Sequence, residues 1–193
     1  MKRILFVLSL VITSMSCHGD QPLGVDTQAE SANAKAAIKE LAGALQKELK
    51  GAMQAGGPVA AIGVCNTQAM PITQKAASEN GLRLSRVSLK NRNPVNLAND
   101  WQAAVLNDFE QQKEAGGDPA SLAWSETVTV DGGKEFRFMK AIPTAAVCLN
   151  CHGTDISPEV SQVLAGLYPG DRATGYSEGD IRGAFVAIRQ VSD

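Results

Sequence analysis

Residues 122–142, LAWSETVTVDGGKEFRFMKAI, contain two stretches of alternating apolar and polar residues that flank a turn motif. Such alternation is typical of half-buried strands. Asp131-Gly132 between them is a pattern that tight hairpin turns favour. Pro143 follows directly and ends the second stretch. The segment therefore predicts an antiparallel pair of strands, on which the rest of the fold is built.

Helical periodicity predicts the other large elements. A capping box at Thr27–Glu30 begins a helix that Gly56-Gly57-Pro58 ends. The remaining expected elements are a short buried helix over 59–65, a helix from Pro71 to about Gly81, a strand over 82–90 with a bulge near Ser85-Arg86, a helix from Asn99 or Asp100 to Gly116, a helix over 157–167, and a last strand over 181–191. Strands follow one another in hairpins more than they alternate with helices, so we predict an α+β fold with an antiparallel sheet and flanking helices.

Composition limits the class of protein. The chain has 193 residues, 44% of them hydrophobic, and a formal charge of −2. This length and composition favour a single packed domain. A nucleic-acid-binding protein normally has a clear excess of basic residues, which is absent here, so we expect no nucleic-acid partner. Aromatic residues make up only 5% of the chain, an unusually small amount of large core side chains.

The amino terminus has the pattern of an export signal. Lys2 and Arg3 precede an apolar run over 4–12 that is too short to span a membrane. Small residues then lead to Cys17, which predicts cleavage after residue 16 and a possible lipid anchor on the Cys17 thiol. We therefore expect a signal peptide over 1–16, a tether over 17–26 and one domain over 27–193. The expected location is the periplasm, where disulfides are allowed.

Cys148-Leu149-Asn150-Cys151-His152 is a C-x-x-C-H motif, the attachment pattern of c-type haem. Its two thiols join the two haem vinyl groups, and the adjacent histidine binds the iron. Three other interpretations remain open: a thioredoxin-like redox pair, a structural disulfide, and a zinc site with Cys65 as its fourth ligand. Gly153 argues against the first, because it would interrupt the long helix that such a pair precedes.

The opposite side of a haem iron usually carries His or Met. His18 is the only other histidine and lies close to the expected anchor, so it is a poor candidate. The methionines of the expected mature chain are Met53, Met70 and Met139. Cys65 is the remaining thiol, and it is either a small buried core residue or an axial thiolate.

The sequence resembles a bacterial family of c-type haem domains with a PAS-like fold, found as periplasmic proteins and as the outer domains of sensor kinases. The stretches that carry the resemblance are Ala61–Asn66, Ala69–Ile72, Arg86–Asn96, Trp101, Cys148–Gly153, Gly175-Tyr176 and Gly179–Gly183. The resemblance implies that Cys65 is the distal ligand, opposite His152, and that this chain is a stand-alone member. It also suggests that Arg86, Lys90 and Arg92 lie near the haem propionates, although a solvated strand edge would explain the same residues.

These residues predict one covalent haem c in a redox or gas sensor. Loss of the Cys65 ligand on reduction would open the iron to CO or NO, and the helix that carries Cys65 would move. A periplasmic electron carrier with an unidentified redox partner is the alternative. We do not expect an enzyme such as a peroxidase, because no second histidine is available as an acid or base apart from His18.

Overall fold

A four-stranded antiparallel sheet with the strand order β1-β4-β3-β2 forms the centre of the molecule. The structure is a computed structural model and describes residues 25–191. Its elements are α1 (Thr27–Asn80), β1 (Arg83–Val87), α2 (Asp100–Glu114), β2 (Ala123–Val130), β3 (Gly133–Pro143), α3 (Leu149–His152), α4 (Pro158–Leu167) and β4 (Ile181–Val191). This arrangement confirms the predicted α+β class with an antiparallel sheet and flanking helices. The expected signal peptide over 1–16 and most of the tether, including Cys17, lie outside the described residues.

The predicted hairpin is present. β2 and β3 pair in unbroken register from Ala123↔Lys140 to Val130↔Gly133, with Asp131 and Gly132 as the two-residue turn. Gly132 has φ 95°, a backbone conformation that glycine adopts without steric cost. β3 then pairs with β4 along its length, and the register shifts only between Ile142 and Pro143. That irregularity lies just before the C-x-x-C-H motif.

Helix α1 is a helical hairpin with two arms. Its backbone leaves the helical conformation at Gly56 and Gly57, and we call residues 27–55 the first arm and 58–80 the second arm. The second arm runs back towards the first, and the Asn80 side-chain amide at its end donates to Glu40 Oε2 on the first arm at 3.0 Å. The helix is interrupted at Gly56 and Gly57, as the sequence predicted.

Two predictions about α1 are wrong in detail. The Asp26 carboxylate, not Thr27, caps the helix by accepting from the backbone N–H groups of residues 28 and 29. The second arm also continues through Pro71, where a new helix was expected. The neighbouring Ala69 and Thr73 are buried, and we attribute the continuity of the helix to this packing, which offsets the missing backbone N–H of the proline.

The bulge predicted in β1 is absent. β1 is shorter than expected and pairs with β4 in continuous register from Arg83↔Ile188 to Val87↔Ala184. Leu84 packs in the cluster beneath α1, whereas Val87 packs in the cluster beneath α2. Helices cover both faces of the sheet, so apolar residues at odd and at even positions of β1 both pack against a helical layer. In the sequence this looks like the change of alternation that a bulge would cause.

The sheet lies between two helical layers. On one face Ala34, Ala37 and Ile38 of the first arm of α1 pack against Phe136 and Phe138. On the other face α2 packs with Val105, Leu106 and Phe109 against Met139 and Val186. Asn99 caps α2 in a capping box with Gln102. Among residues 25–191, no helix has the length and apolar character that a membrane span requires.

Candidate functional site

A cavity of about 760 Å³ opens between helix α1, the sheet and the segment that follows β3. Both arms of α1 contribute apolar side chains, and the sheet contributes residues from β1, the end of β3 and the start of β4. Its apolar lining includes Leu45, Leu49, Met53, Ile62, Val64, Ile72, Ile142, Val147 and Phe185. Cavities of this volume with apolar walls are typical of small-molecule and cofactor sites.

The C-x-x-C-H motif forms one wall of this cavity. After β3 the chain makes a 3-10 turn over Ala146–Cys148 and continues into the single turn of α3, so that Cys148, Cys151 and His152 all line the cavity. Gly153 closes the turn by donating its N–H to the Leu149 carbonyl at 3.0 Å. A Cβ at Gly153 would lie 2.7 Å from that carbonyl oxygen, so the residue after the motif has no room for a side chain.

His152 is held by the loop that precedes β4. Its Nδ1 lies 2.7 Å from the Ala173 carbonyl oxygen, and its own carbonyl accepts from the Tyr176 N–H at 2.9 Å. A proton on Nδ1 makes the first contact a hydrogen bond and leaves the Nε2 lone pair available as a ligand. Burial, followed by the positive charges of Arg182 and Arg92, lowers the pKa of His152 to about 3. The ring is therefore neutral at physiological pH.

This partly buried, neutral ring makes the stability of the cofactor-free chain depend on pH. Below the ordinary histidine pKa of about 6.5, the unfolded chain takes up a proton that folded His152 excludes. The free energy of unfolding should therefore fall by about 2 kcal/mol between pH 7 and pH 5. Urea unfolding at both pH values measures this, and His152→Gln is the control that should lose most of the difference. Equal pH dependence in both proteins would contradict the assignment.

Cys65 lies on the second arm of α1 and lines the same cavity. The residue as a whole is exposed, although its position on the cavity wall places protein atoms around the sulfur. These atoms partly shield the thiol from water, which raises its pKa, and the nearby positive charges of Arg86 and Arg92 partly offset that effect. The structure therefore brings the predicted distal residue to the cavity that holds the C-x-x-C-H motif.

The predicted basic residues do not share one environment. Arg86 and Arg92 line the cavity, but Lys90 does not. Lys90 instead directs its Nζ to the Thr174 carbonyl and lies 4.5 Å from the centre of the Tyr176 ring. Arg92 forms an ion pair with Asp171 at 2.9 Å and also donates to the Cys151 carbonyl. The Arg86 side chain forms no hydrogen bond or ion pair with any residue in the described part of the chain.

The alternatives to haem receive little support from the geometry. Cys65, Cys148 and Cys151 are all free thiols. Within residues 25–191, no group of three His, Cys, Asp or Glu side chains converges closely enough to hold a metal ion. A zinc site made of the motif and Cys65 would require such convergence.

Two residues of the site were given no role in the sequence analysis. Arg182 lines the cavity and contacts His152 Nδ1 through its Nε at 3.2 Å. Tyr168, at the end of α4, also lines the cavity. The signal that could have revealed Arg182 is its charge, which stands near the start of the predicted strand and directly before the uncharged run over 183–188.

Comparison with known proteins supports the fold and identifies the family. No curated protein matches the chain. A solved structure, described as that of the cyanobacterial heme-protein Tll0287, is 23% identical with a TM-score of 0.58, over 86% of this chain and 98% of that one. This likeness supports the same fold. The model of the Tll0287-like family matches residues 25–189, which is almost all of the described chain and confirms the resemblance to a known domain family. The chain therefore belongs to the Tll0287-like family.

Proposed function

We propose that this chain is an exported c-type haem protein that senses a redox change or a small gas. Cys148 and Cys151 would hold one haem by thioether bonds, and His152 and Cys65 would bind its iron. The observation that carries the proposal is the presence of all four side chains on the wall of one apolar cavity.

The residues of the cavity fit a haem. The two motif thiols are free to react, and the Ala173 carbonyl orients the His152 ring so that Nε2 is left as a ligand. The apolar wall suits a porphyrin face, while haem propionates require cations. Arg86 is the best candidate for that role, because it lines the cavity without an acidic partner among the described residues. Arg92 also lines the cavity, but Asp171 already neutralises it.

A bound haem would supply an iron that can change its oxidation state and exchange one of its ligands. Cys65 would give up its proton to act as a thiolate ligand, as cysteine ligands to metals generally do. Partial desolvation of the thiol raises the pKa of Cys65, so without a metal the proton is favoured. Cys65 is therefore suited to be a ligand that the metal releases when its positive charge falls on reduction.

The second arm of α1 provides a route for the signal. Cys65 lies on it, and its neighbour Ile62 packs against Val160 and Leu164 of α4. The arm joins the first arm through Gly56 and Gly57, where Gly57 has φ 68°. Release of Cys65 would free this arm to shift about the glycine break, and CO or NO would be the gases able to take the vacated position.

Electron transfer is the second candidate function. Met70 and Val147 line the cavity and are 44% and 48% exposed. A group bound there would therefore have an edge close to solvent, where a redox partner protein could approach. Such a carrier would retain both axial ligands in both oxidation states.

Replacing Cys65 with alanine tests the sensing role. In protein matured with the haem c machinery, we expect Cys65→Ala to change the ferric absorption spectrum and to leave the haem covalently attached. The reduced wild-type protein should bind CO. An unchanged ferric spectrum would contradict ligation by Cys65, and an absence of CO binding would favour the electron carrier. A wild-type sample with no haem would overturn the whole proposal.

The remaining parts of the proposal concern location and activity. We propose the periplasm as the location, with a lipid on Cys17 as a membrane anchor. We also propose that the protein is not a peroxidase. Among residues 25–191, His152 is the only histidine, and it is assigned to the metal, so no second histidine is left as an acid or base.

A further inference from the structure

Arg182 holds its charge against the ring of His152. It lies at the start of β4, and its Nε is 3.2 Å from His152 Nδ1. Its Nη1 donates to Ser88 Oγ at 3.1 Å and to the Lys90 carbonyl at 3.2 Å. The guanidinium carbon also lies 5.3 Å from the centre of the Tyr176 ring. These contacts fix the cation in one place.

The charge of Arg182 is not neutralised by an ion pair. Its partners are a hydroxyl, a backbone carbonyl and two rings, and it forms no salt bridge within the described residues. Asp171, the nearby acid, forms its ion pair with Arg92 at 2.9 Å. Since Arg182 is also partly buried, solvent screens its field less than that of a surface arginine.

A histidine that binds a metal usually donates its second N–H to a carboxylate or a carbonyl, which makes the ring a stronger ligand. His152 has such a carbonyl in Ala173, at 2.7 Å from Nδ1. The proton on Nδ1 then belongs to that bond, so Arg182 acts on the same nitrogen mainly as a positive charge. A cation at this position counteracts the effect of the carbonyl on the ring. It stabilises the reduced form of the site, which holds one more electron, relative to the oxidised form.

We propose that Arg182 is a positioning residue that acts through His152, and that its charge raises the reduction potential of the bound haem. This inference rests on the proposed function, since it requires His152 to be the axial ligand. Arg182 would then help to set the reduction potential at which Cys65 is released. The sequence motif alone does not contain this information, because the motif ends thirty residues before Arg182.

The test compares Arg182→Gln, Arg182→Lys and Arg189→Gln in haem-loaded protein by spectroelectrochemistry. At a fixed ambient potential, we expect Arg182→Gln to lower the ferrous-to-ferric ratio about tenfold, which corresponds to about 59 mV for one electron. Arg182→Lys keeps the charge and should recover most of the ratio. Arg189→Gln removes a charge from the same strand, at a residue that pairs with Glu30 outside the cavity, and should leave the ratio unchanged.

The outcomes separate this inference from the proposed function. If the wild-type protein carries no covalent haem, the proposed function fails. If haem is attached but Arg182→Gln has the wild-type potential, the role of Arg182 is overturned. If Arg182→Gln does not fold, Ser88→Ala decides, because it removes one anchor of the guanidinium without changing the charge. A smaller shift in the same direction supports the inference, and an unchanged potential overturns it.

Discussion

Simultaneous replacement of Cys148 and Cys151 by alanine should abolish covalent retention of haem. Both thiols are free, lie on one turn after β3 and line the cavity, so each can form a thioether bond by adding its sulfur and proton across one vinyl group. Without them, His152 and Cys65 could hold a haem only through the metal. A haem stain on a denaturing gel should give a strong band for the wild type and none for the double variant.

Cys65→Ala is the matched control for this experiment. It removes one thiol from the same cavity but lies on α1, outside the C-x-x-C-H motif. We expect its haem band to equal that of the wild type, and the single variants Cys148→Ala and Cys151→Ala to keep one thioether each. The pyridine haemochrome spectrum distinguishes these forms, because it depends on the number of vinyl groups that have reacted. A stained band in the double variant would contradict thioether attachment at these residues.

The parts of the site that the sequence predicted are those encoded by local spacing. Cys148, Cys151 and His152 occupy one turn, so five consecutive residues are enough to place them together. Cys65 was placed by family resemblance, and the structure brings it to the same cavity. Lys90 and Arg182 show the limit of this approach. Both are cations near the motif in space, but only the packing of β1 against β4 decides which of them faces His152.

The fold was predicted where the pattern of burial is simple. The β2–β3 hairpin follows from alternation around Asp131-Gly132, and the break in α1 follows from two glycines. The errors occur where tertiary packing decides. Leu84 and Val87 face different helical layers, so their parity does not indicate a bulge. Pro71 lies within a helix because the residues around it are buried, and propensity alone gives no measure of that packing.

Replacing Gly183 with alanine should destabilise the protein by about 3 kcal/mol or more. Gly183 lies on β4 with φ 157°, a conformation that residues with a side chain rarely adopt. A Cβ there would lie only 2.2 Å from the Val87 carbonyl oxygen and 3.2 Å from Ser88 Cβ. These atoms belong to the end of β1 and the residue after it, so they cannot move away without separating β1 from β4. Urea unfolding of the haem-loaded variant and the wild type measures the difference.

Gly43→Ala is the control for the loss of a glycine. Gly43 is exposed on the first arm of α1, and a Cβ there would meet no atom within 4 Å. Alanine should therefore stabilise the helix by about 0.5–1 kcal/mol. Equal unfolding midpoints for Gly183→Ala and the wild type would show that the strands do not approach each other this closely. The same approach lets Ser88 Oγ donate to the Arg182 carbonyl at 2.8 Å, so the absence of a side chain at Gly183 also sets the position of the cation beside His152.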